Sequence, residues 1–474
     1  MISDFYISTI RRQMGVMPTL EQDNAIKAFA DYMSLRNEHP VFILSGSAGT
    51  GKTTLAAAIV RAMIEMKQKI VLMAPTGRAA KVFSLYAGQP AYTIHRRIYR
   101  QKSGAIGMEG FSLNDNLHTD TLFIIDEASM IANQGYGDSG FGSGCLLDDL
   151  VRYVNSGRNC RMMLIGDKAQ LPPVGEDESP ALMPGVMQCY GSKVIHTTLN
   201  EVMRQSEESG ILWNATKVRK MTSDYDFIQL PKIAFKGFDD ISMVPGNELI
   251  EQLATSYSRA GIDDTIVITR SNKLAIRYNN GIRSMVLGHE DELCGGDMLM
   301  IVKNNYYWTE KEKLSLPFIA NGDRAKVQRV RNIRELYGFR FADVTMSFPD
   351  YNDMELTATV LLDSLQSEAP SLTREQNEKF FNAIMEDYRH IPLKRDRMQQ
   401  LKQDIYYNAL QVKYAYAVTC HKAQGGQWSH VYVDQGWMND DMLTPDYIHW
   451  LYTAFTRATE KLYLVNWPEK QTFQ

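Results

Sequence analysis

Cysteine is scarce: Cys145, Cys160, Cys189, Cys294 and Cys420 are five in 474 residues, and no two of them form a C-x-x-C pair. That spacing excludes a zinc ribbon or a disulfide frame and fits a reducing compartment, so all five are expected to be structural. Positive charge is not in excess either. The 51 Lys and Arg against 55 Asp and Glu leave a formal net charge of -4, which excludes a globally basic surface and confines any nucleic-acid contact to a local groove. Long apolar runs are missing. No segment is long and apolar enough to span a bilayer, and Met1 to Leu20 holds no apolar stretch of signal-peptide length. A soluble, cytoplasmic protein that does not engage membranes is expected.

A chain of this length exceeds one ordinary domain and fits two large lobes plus insertions. Short runs rich in Val and Ile, each ending in a polar or Gly cluster and followed by a helical pattern, mark buried parallel strands. Val41 to Ser45, Lys69 to Pro75, Thr121 to Asp126 and Cys160 to Asp167 are such runs, and they predict a doubly wound α/β lobe. Asp264 to Asn272, Tyr414 to Thr419, His430 to Asp434 and Lys461 to Asn466 predict a second. The first lobe is expected at 1–98 and 120–200, the second at 201–293 and 411–474. Two segments interrupt them. Residues 99–119 carry Gly104, Gly107 and Gly110 among polar residues and are expected to project as a hairpin. Residues 294–410 are first strand-like, with Asn321-Gly322-Asp323 as a turn signal, then charged and helical from Leu372 to Leu410. A β-rich, SH3-like part followed by a helical part is expected there. Gln134 to Gly144 is Gly-rich and reads as a loop.

After the first strand stands Gly46-Ser47-Ala48-Gly49-Thr50-Gly51-Lys52-Thr53, with Thr54 opening a helical pattern behind it. This matches the phosphate loop G-x-x-x-x-G-K-[ST]. Its glycines let backbone N–H groups turn inward on phosphates, and the helix N-terminus adds positive potential. Lys52 would reach the β and γ phosphates and Thr53 would ligate Mg²⁺. A chance lysine in a Gly-rich turn would not come with strand, loop and helix in this order. Leu122-Phe123-Ile124-Ile125-Asp126-Glu127 supplies an apolar strand ending in two acids. Asp126 would hold Mg²⁺ through water, and Glu127 would orient and deprotonate an attacking water. ATP and Mg²⁺ are therefore the expected cofactors. Phosphate loops also serve small-molecule kinases, GTPases and transporters, so these two elements alone leave the task open.

Gly166-Asp167-Lys168-Ala169-Gln170-Leu171-Pro172-Pro173-Val174-Gly175 resembles motif III of the superfamily 1 helicases. Other segments are similar to that family's motifs, in the family's order. Thr19 to Gln22 resembles the Q-motif, Ala74 to Lys81 motif Ia, Thr93-Ile94-His95 motif Ib, and Glu201 to Gln205 motif IV. Val418 to Gly425 resembles motif V and Leu451 to Ala458 motif VI. The T-G-R-A-A-K form of motif Ia, the T-I-H and the Q-L-P-P-V tail are most like the RecD/Dda branch, superfamily 1B. The likeness runs from Gln22 to Arg457 and leaves mainly the insertions unmatched. Cys420, where relatives often carry an aliphatic residue, and Gly426-Gln427-Trp428, in place of an acidic ending of motif V, depart from the pattern.

The resemblance implies two RecA-like lobes with ATP between them. It also implies a monomeric DNA helicase that moves 5′ to 3′ on single-stranded DNA, works at single–double-strand junctions, and serves repair, recombination or replication. By motif position, Gln22 would read the adenine edge and Gln170 would sense the γ phosphate. Arg204 and Arg457 would reach that phosphate from the second lobe. Thr453 and Arg457, four apart, share one helix face, as an arginine finger needs. Thr76, His95, Thr419 and His421 would contact phosphate or sugar. Trp428, beside motif V, would stack on a base, whereas Phe83, Tyr86 and Trp437 suit either stacking or core. Lys394, Arg395 and Arg397 suit a strand contact or a solvated helix face. The family's strand-separating pin falls at 99–119, with Phe111 or Ile106 at its tip, and a plain solvent loop is the alternative. Two competing readings stay open: an RNA-dependent motor, and a protein that binds nucleotide without turning it over.

Overall fold

A computed structural model describes residues 2–35, 39–101, 111–135, 142–201, 208–222, 229–314, 318–369, 371–439 and 442–473. The apolar runs of the first lobe become six parallel strands. They are β1 (Val41–Gly46), β2 (Lys69–Ala74), β3 (Ala91–Thr93), β6 (Thr121–Ile125), β7 (Arg161–Gly166) and β8 (Val194–Leu199), ordered β3-β2-β6-β7-β1-β8. Successive residues of a strand face opposite sides, and here both sides are covered by helices. Phe42 and Leu44 of β1 join a core with Phe29, Tyr32 and Ile59, while Val41 and Ile43 join another with Ile98, Leu150 and Val154. Strands β3 and β8 lie outside the sequence expectation. Both are edge strands; one has three residues and the other mixes Thr and His into a half-exposed run.

The second lobe repeats the plan with β9 (Ile241–Val244), β10 (Thr265–Thr269), β16 (Ala417–Thr419), β17 (Trp428–Asp434) and β18 (Ala458–Val465), all parallel in the order β16-β10-β17-β18-β9. Between β10 and β16 the chain leaves to build a closed five-stranded barrel from β11 (Met298–Ile301), β12 (Arg324–Leu336), β13 (Phe339–Phe348), β14 (Met354–Leu361) and β15 (Leu410–Tyr414). Gly322, at φ 95°, makes the expected turn before β12. Tyr337 and Gly338, at φ 57° and 74°, join β12 to β13 in a two-residue turn whose left-handed conformation matches strand twist. Helices Arg374–Asp387 and Lys394–Gln403 close over the barrel, setting Phe380, Ile384 and Leu401 against Phe339, Phe341 and Leu361. Lys394 and Arg395 are exposed on the far side, a solvated face. The run expected as one strand from Tyr414 to Thr419 is divided: the barrel takes Tyr414 and the lobe takes Ala417 onward.

The first insertion forms the antiparallel pair β4 (Tyr99–Gln101) and β5 (Phe111–Leu113). Ile106 lies outside the described residues, and Phe111 is not at a tip. It is buried at the loop-side end of the pair, opposite Gln101, with its ring 4.3 Å from that of Tyr306 and 6.4 Å from that of Phe318, so it fastens the hairpin to the barrel insertion. Residues 202–207, including Arg204, and 136–141 of the Gly-rich loop also lie outside the described residues. All five cysteines are free, but Cys189 is exposed, which does not fit a structural thiol. Among the described residues no helix is long and apolar enough to cross a membrane.

Candidate functional site

The phosphate loop follows β1 because Gly49 and Gly51, at φ 76° and 77°, turn the backbone where a side chain would be strained. A Cβ on Gly46 would stand 2.8 Å from the Leu199 carbonyl, and one on Gly51 would stand 2.5 Å from Gln22 Nε2. Gln22 is buried, takes the Thr19 N–H on Oε1 at 3.0 Å and donates Nε2 to the Thr50 carbonyl at 3.1 Å. It braces the loop from below, rather than standing free to read an adenine edge. Lys52 Nζ donates to the carbonyls of Gly46 at 2.7 Å and Ser47 at 2.8 Å. Burial lowers its pKa, with Asp167, Glu127 and Asp126 opposing that shift.

On the same lobe, β6 is followed directly by Asp126 and Glu127. Asp126 Oδ1 accepts the Glu127 N–H at 2.9 Å, and Oδ2 accepts the Tyr86 hydroxyl. Glu127 sits at φ 51°, a backbone conformation that a non-glycine residue holds only when its surroundings enforce it. Burial raises both carboxyls above the ordinary range; Arg457 is the main opposing influence on Glu127. A raised carboxyl beside a cation suits a group that must take up a proton.

Motif III joins this wall to the second lobe. Tyr452, on helix Pro445–Phe455, receives the Ala48 N–H of the phosphate loop at 2.9 Å and donates to Asp167. The Leu171 N–H donates to Thr453 Oγ1 at 2.7 Å, Gln424 Nε2 to the Leu171 carbonyl at 2.6 Å, and His449 Nδ1 lies 2.8 Å from the Ala169 carbonyl. Arg457 is buried and held by Thr453 O at 3.1 Å, Gly426 O at 3.2 Å and Thr456 Oγ1 at 3.2 Å. One cleft of 810 Å³ between the lobes is lined by Ser47, Ala48, Gly49, Gly51, Lys52, Thr53, Asp126, Glu127, Gln170 and Arg457. Gln170 Oε1 and Ser47 Oγ are buried with no hydrogen-bond partner among the described residues. An acceptor and a hydroxyl left unpaired beside cations fit a ligand rich in phosphate oxygens and bound water.

The roles of Tyr86, Asp167 and Tyr452 are absent from the sequence reading. Tyr452 and Asp167 stand inside recognisable motifs, but their partners are hundreds of positions away, which no local pattern reveals.

Thr76 caps helix Gly77–Ala87 by accepting the Ala79 N–H at 3.2 Å, and Gly425 of motif V approaches so closely that a Cβ there would meet Ala79 Cβ at 2.8 Å and Thr76 Oγ1 at 3.2 Å. Motifs Ia and V therefore meet at one seam. His421 is exposed and Thr419 half-buried. Burial pushes the His95 imidazole down to about 4, so it is uncharged at neutral pH. Trp428 is a correction: it is 4% exposed, and the Arg78 guanidinium covers its ring at 4.8 Å. It packs the seam and offers no face for a base. Phe83 is core, while Trp437 is 76% exposed.

Comparison with known proteins agrees with this geometry. Residues 19–224 match the AAA domain model, and residues 414–465 match the UvrD-like helicase C-terminal domain model. The chain is 24% identical to an uncharacterized protein of Acanthamoeba polyphaga mimivirus over 90% of this chain and 95% of that one. It is 34% identical to the ATP-dependent RecD2 DNA helicase of Deinococcus radiodurans over 37% of this chain and 21% of that one. With the ATP-dependent DNA helicase Dda of Enterobacteria phage T4 it shares 25% identity over 59% of this chain and 60% of that one. The chain is similar, across both lobes, to ATP-dependent DNA helicases of the RecD2 and Dda kind. It thus spans about a fifth of the RecD2 relative and three fifths of the Dda relative. The matched segments fall on the two parallel sheets described above, and the phosphate loop, Asp126, Glu127, Gln170 and Arg457 line one cleft between them.

Proposed function

We propose that this chain is an ATP-driven motor that moves 5′ to 3′ along single-stranded DNA and separates duplex ahead of it, acting as a monomer. The observation that carries this reading is the cleft itself. Lys52, Asp126, Glu127 and Gln170 come from one lobe and Arg457 from the other, so the catalytic set is complete only when the lobes are together.

Lys52 and the loop amides bind the β and γ phosphates, while Thr53 and Asp126 are the residues that would hold Mg²⁺, whose charge would screen those phosphates. Glu127 orients a water in line with the γ phosphorus and accepts its proton as the bond to the bridging oxygen breaks. Arg457 neutralises the charge that spreads over the transferred phosphoryl group. Gln170 reads the γ phosphate by donating from its amide N–H, with the unpaired Oε1 left to accept from a water, and the bonds from Ala169 and Leu171 to His449, Thr453 and Gln424 carry that reading into the second lobe. Hydrolysis removes what held the arginine, the lobes part, and a differential grip on the strand becomes a step.

The strand crosses both lobes along the seam of motifs Ia and V, with Thr76, His95, Thr419 and His421 on phosphate and sugar. The hairpin β4–β5 stands at the junction and keeps the second strand out. Strand displacement on otherwise identical forks with a 5′ or a 3′ tail tests the reading: unwinding confined to the 5′-tailed fork is expected. Unwinding from 3′ tails reverses the polarity, and ATPase that no DNA strand stimulates overturns the motor.

A further inference from the structure

Asp126, at the end of β6, is held by a group from outside the nucleotide motifs. Tyr86 lies at the last turn of helix Gly77–Ala87, lines the cleft, and donates its hydroxyl to Asp126 Oδ2. Its ring is fixed against Phe83, centroids 5.2 Å apart, and Phe83 is fully buried. The other end of the same helix is keyed into the second lobe. Arg78 Nη2 donates to the Gln427 carbonyl at 2.7 Å, its guanidinium covers Trp428, and Ala79 meets Gly425. An α-helix of 11 residues is a rod of about 16 Å that transmits a shift at one end to the other.

We propose that Tyr86 is a positioning residue that ties the metal-holding carboxylate to the second lobe's Gly425–Trp428 segment, withholding one oxygen of Asp126 until the seam moves. The inference rests on the helicase reading, because it needs Asp126 to serve a divalent cation. The carboxylate has two oxygens. Oδ1 is committed to the Glu127 N–H, which holds Glu127 in its left-handed backbone, so the oxygen that Tyr86 occupies is the one left for a cation's hydration shell. A strand laid along the seam displaces the N-terminal end of the helix, draws the hydroxyl away, and frees Oδ2. Strand binding and cation binding are then linked through one rod, and each must favour the other.

The test is Tyr86→Phe, which keeps the ring and its packing and removes only the hydroxyl. Mn²⁺ binding in the presence of ADP is read by electron paramagnetic resonance, and ATPase is read with and without single-stranded DNA. Without DNA, Mn²⁺ should bind about tenfold more tightly, the worth of one hydrogen bond to a charged acceptor. Strand-free ATPase should rise, so that the ratio of stimulated to unstimulated turnover falls. Arg78→Ala, which unkeys the far end, should also tighten Mn²⁺ binding in the Tyr86 protein and have no further effect in the Y86F background, because a shared rod makes the two changes non-additive. Unchanged Mn²⁺ affinity in Y86F, or effects of the two changes that simply add, overturns the proposal. The helicase reading fails differently: there the unmutated protein itself shows no strand-stimulated ATPase.

Discussion

Tyr452→Phe isolates the link between the phosphate loop and the second lobe. The ring is 1% exposed and stays in place on substitution, so what is lost is one hydroxyl with two partners in the other lobe. Asp167 loses a charge-assisted donor but keeps the Ala169 N–H at 3.0 Å, and the Ala48 N–H loses its acceptor. A hydrogen bond to a charged group contributes about 1.5 to 3 kcal/mol, and water entering the loosened cleft recovers part of what the amide forfeits, so about 2 kcal/mol is the expected net loss. At about 1.4 kcal/mol per factor of ten, the closed arrangement of the lobes should become roughly 30-fold less populated relative to the open one. Three bonds of the same seam survive, from Thr453, Gln424 and His449, so closure should weaken without vanishing. Single-molecule energy transfer between dyes on exposed sites of the two lobes, read without nucleotide, checks this. An unchanged distribution of lobe separations would mean that the hydroxyl bridges two groups already held together by other means, and the seam would lose its role in closure.

Glu127→Gln should retain nucleotide binding and lose turnover by roughly 10²- to 10⁴-fold, the usual worth of a positioned base, as read by single-turnover hydrolysis. Near-normal turnover would take Glu127 out of the chemistry. Arg457→Ala should leave ATP affinity nearly intact and abolish DNA-stimulated hydrolysis, because the charge it meets develops in the transition state. Asp323 is buried, and burial pushes its carboxyl up to about 7. Its folded value lies above the unfolded one of about 3.9, so its contribution to stability is fully present below about pH 4 and lost as pH rises through about 7. Asp323→Asn should therefore flatten the fall in melting temperature between pH 5 and pH 8, and an unaltered slope would assign that fall elsewhere. Phe111→Ala, which empties the ring's place between hairpin and barrel, should spare strand-stimulated ATPase and depress unwinding of a 5′-tailed duplex. Wild-type unwinding rates in that variant would remove the hairpin's anchorage from strand separation.

Much of this molecule is legible in the chain because parallel strands buried on both faces must be continuously apolar, and Val41 to Ser45 or Thr121 to Asp126 can be little else. The phosphate loop is legible for a related reason: its glycines, lysine and threonine have fixed spacings along one stretch of backbone. What escapes notice is set by distance in sequence. Tyr86 reads as an aromatic on an amphipathic helix, and nothing local points it at Asp126. Trp428 shows the opposite failure, since an aromatic next to a nucleic-acid motif suggests stacking, yet the Arg78 that covers it lies 350 positions earlier. Phe111 misleads similarly: an apolar residue in a polar insertion suggests a tip, whereas its partners Tyr306 and Phe318 come from another domain. The edge strands β3, β8 and β9 go unseen because half-exposed edges need no apolar run.

The barrel leaves the second lobe and returns to it at almost the same point. The Met298 carbonyl, where its first strand begins, accepts the Ala415 N–H at 2.8 Å just after its last strand ends, and Tyr416 donates its hydroxyl at 2.8 Å to Asp297, which Arg283 also grips at 2.8 Å. Ends that close behave as a splice site: chain can be looped out there without stretching either neighbour. The barrel and its two helices are thus looped out between neighbouring points of the lobe, while the barrel shares one apolar core with it. Because β16 and the Val418 to Gly425 segment resume within a few residues of the splice, the barrel is coupled directly to the seam where that segment meets helix Gly77–Ala87.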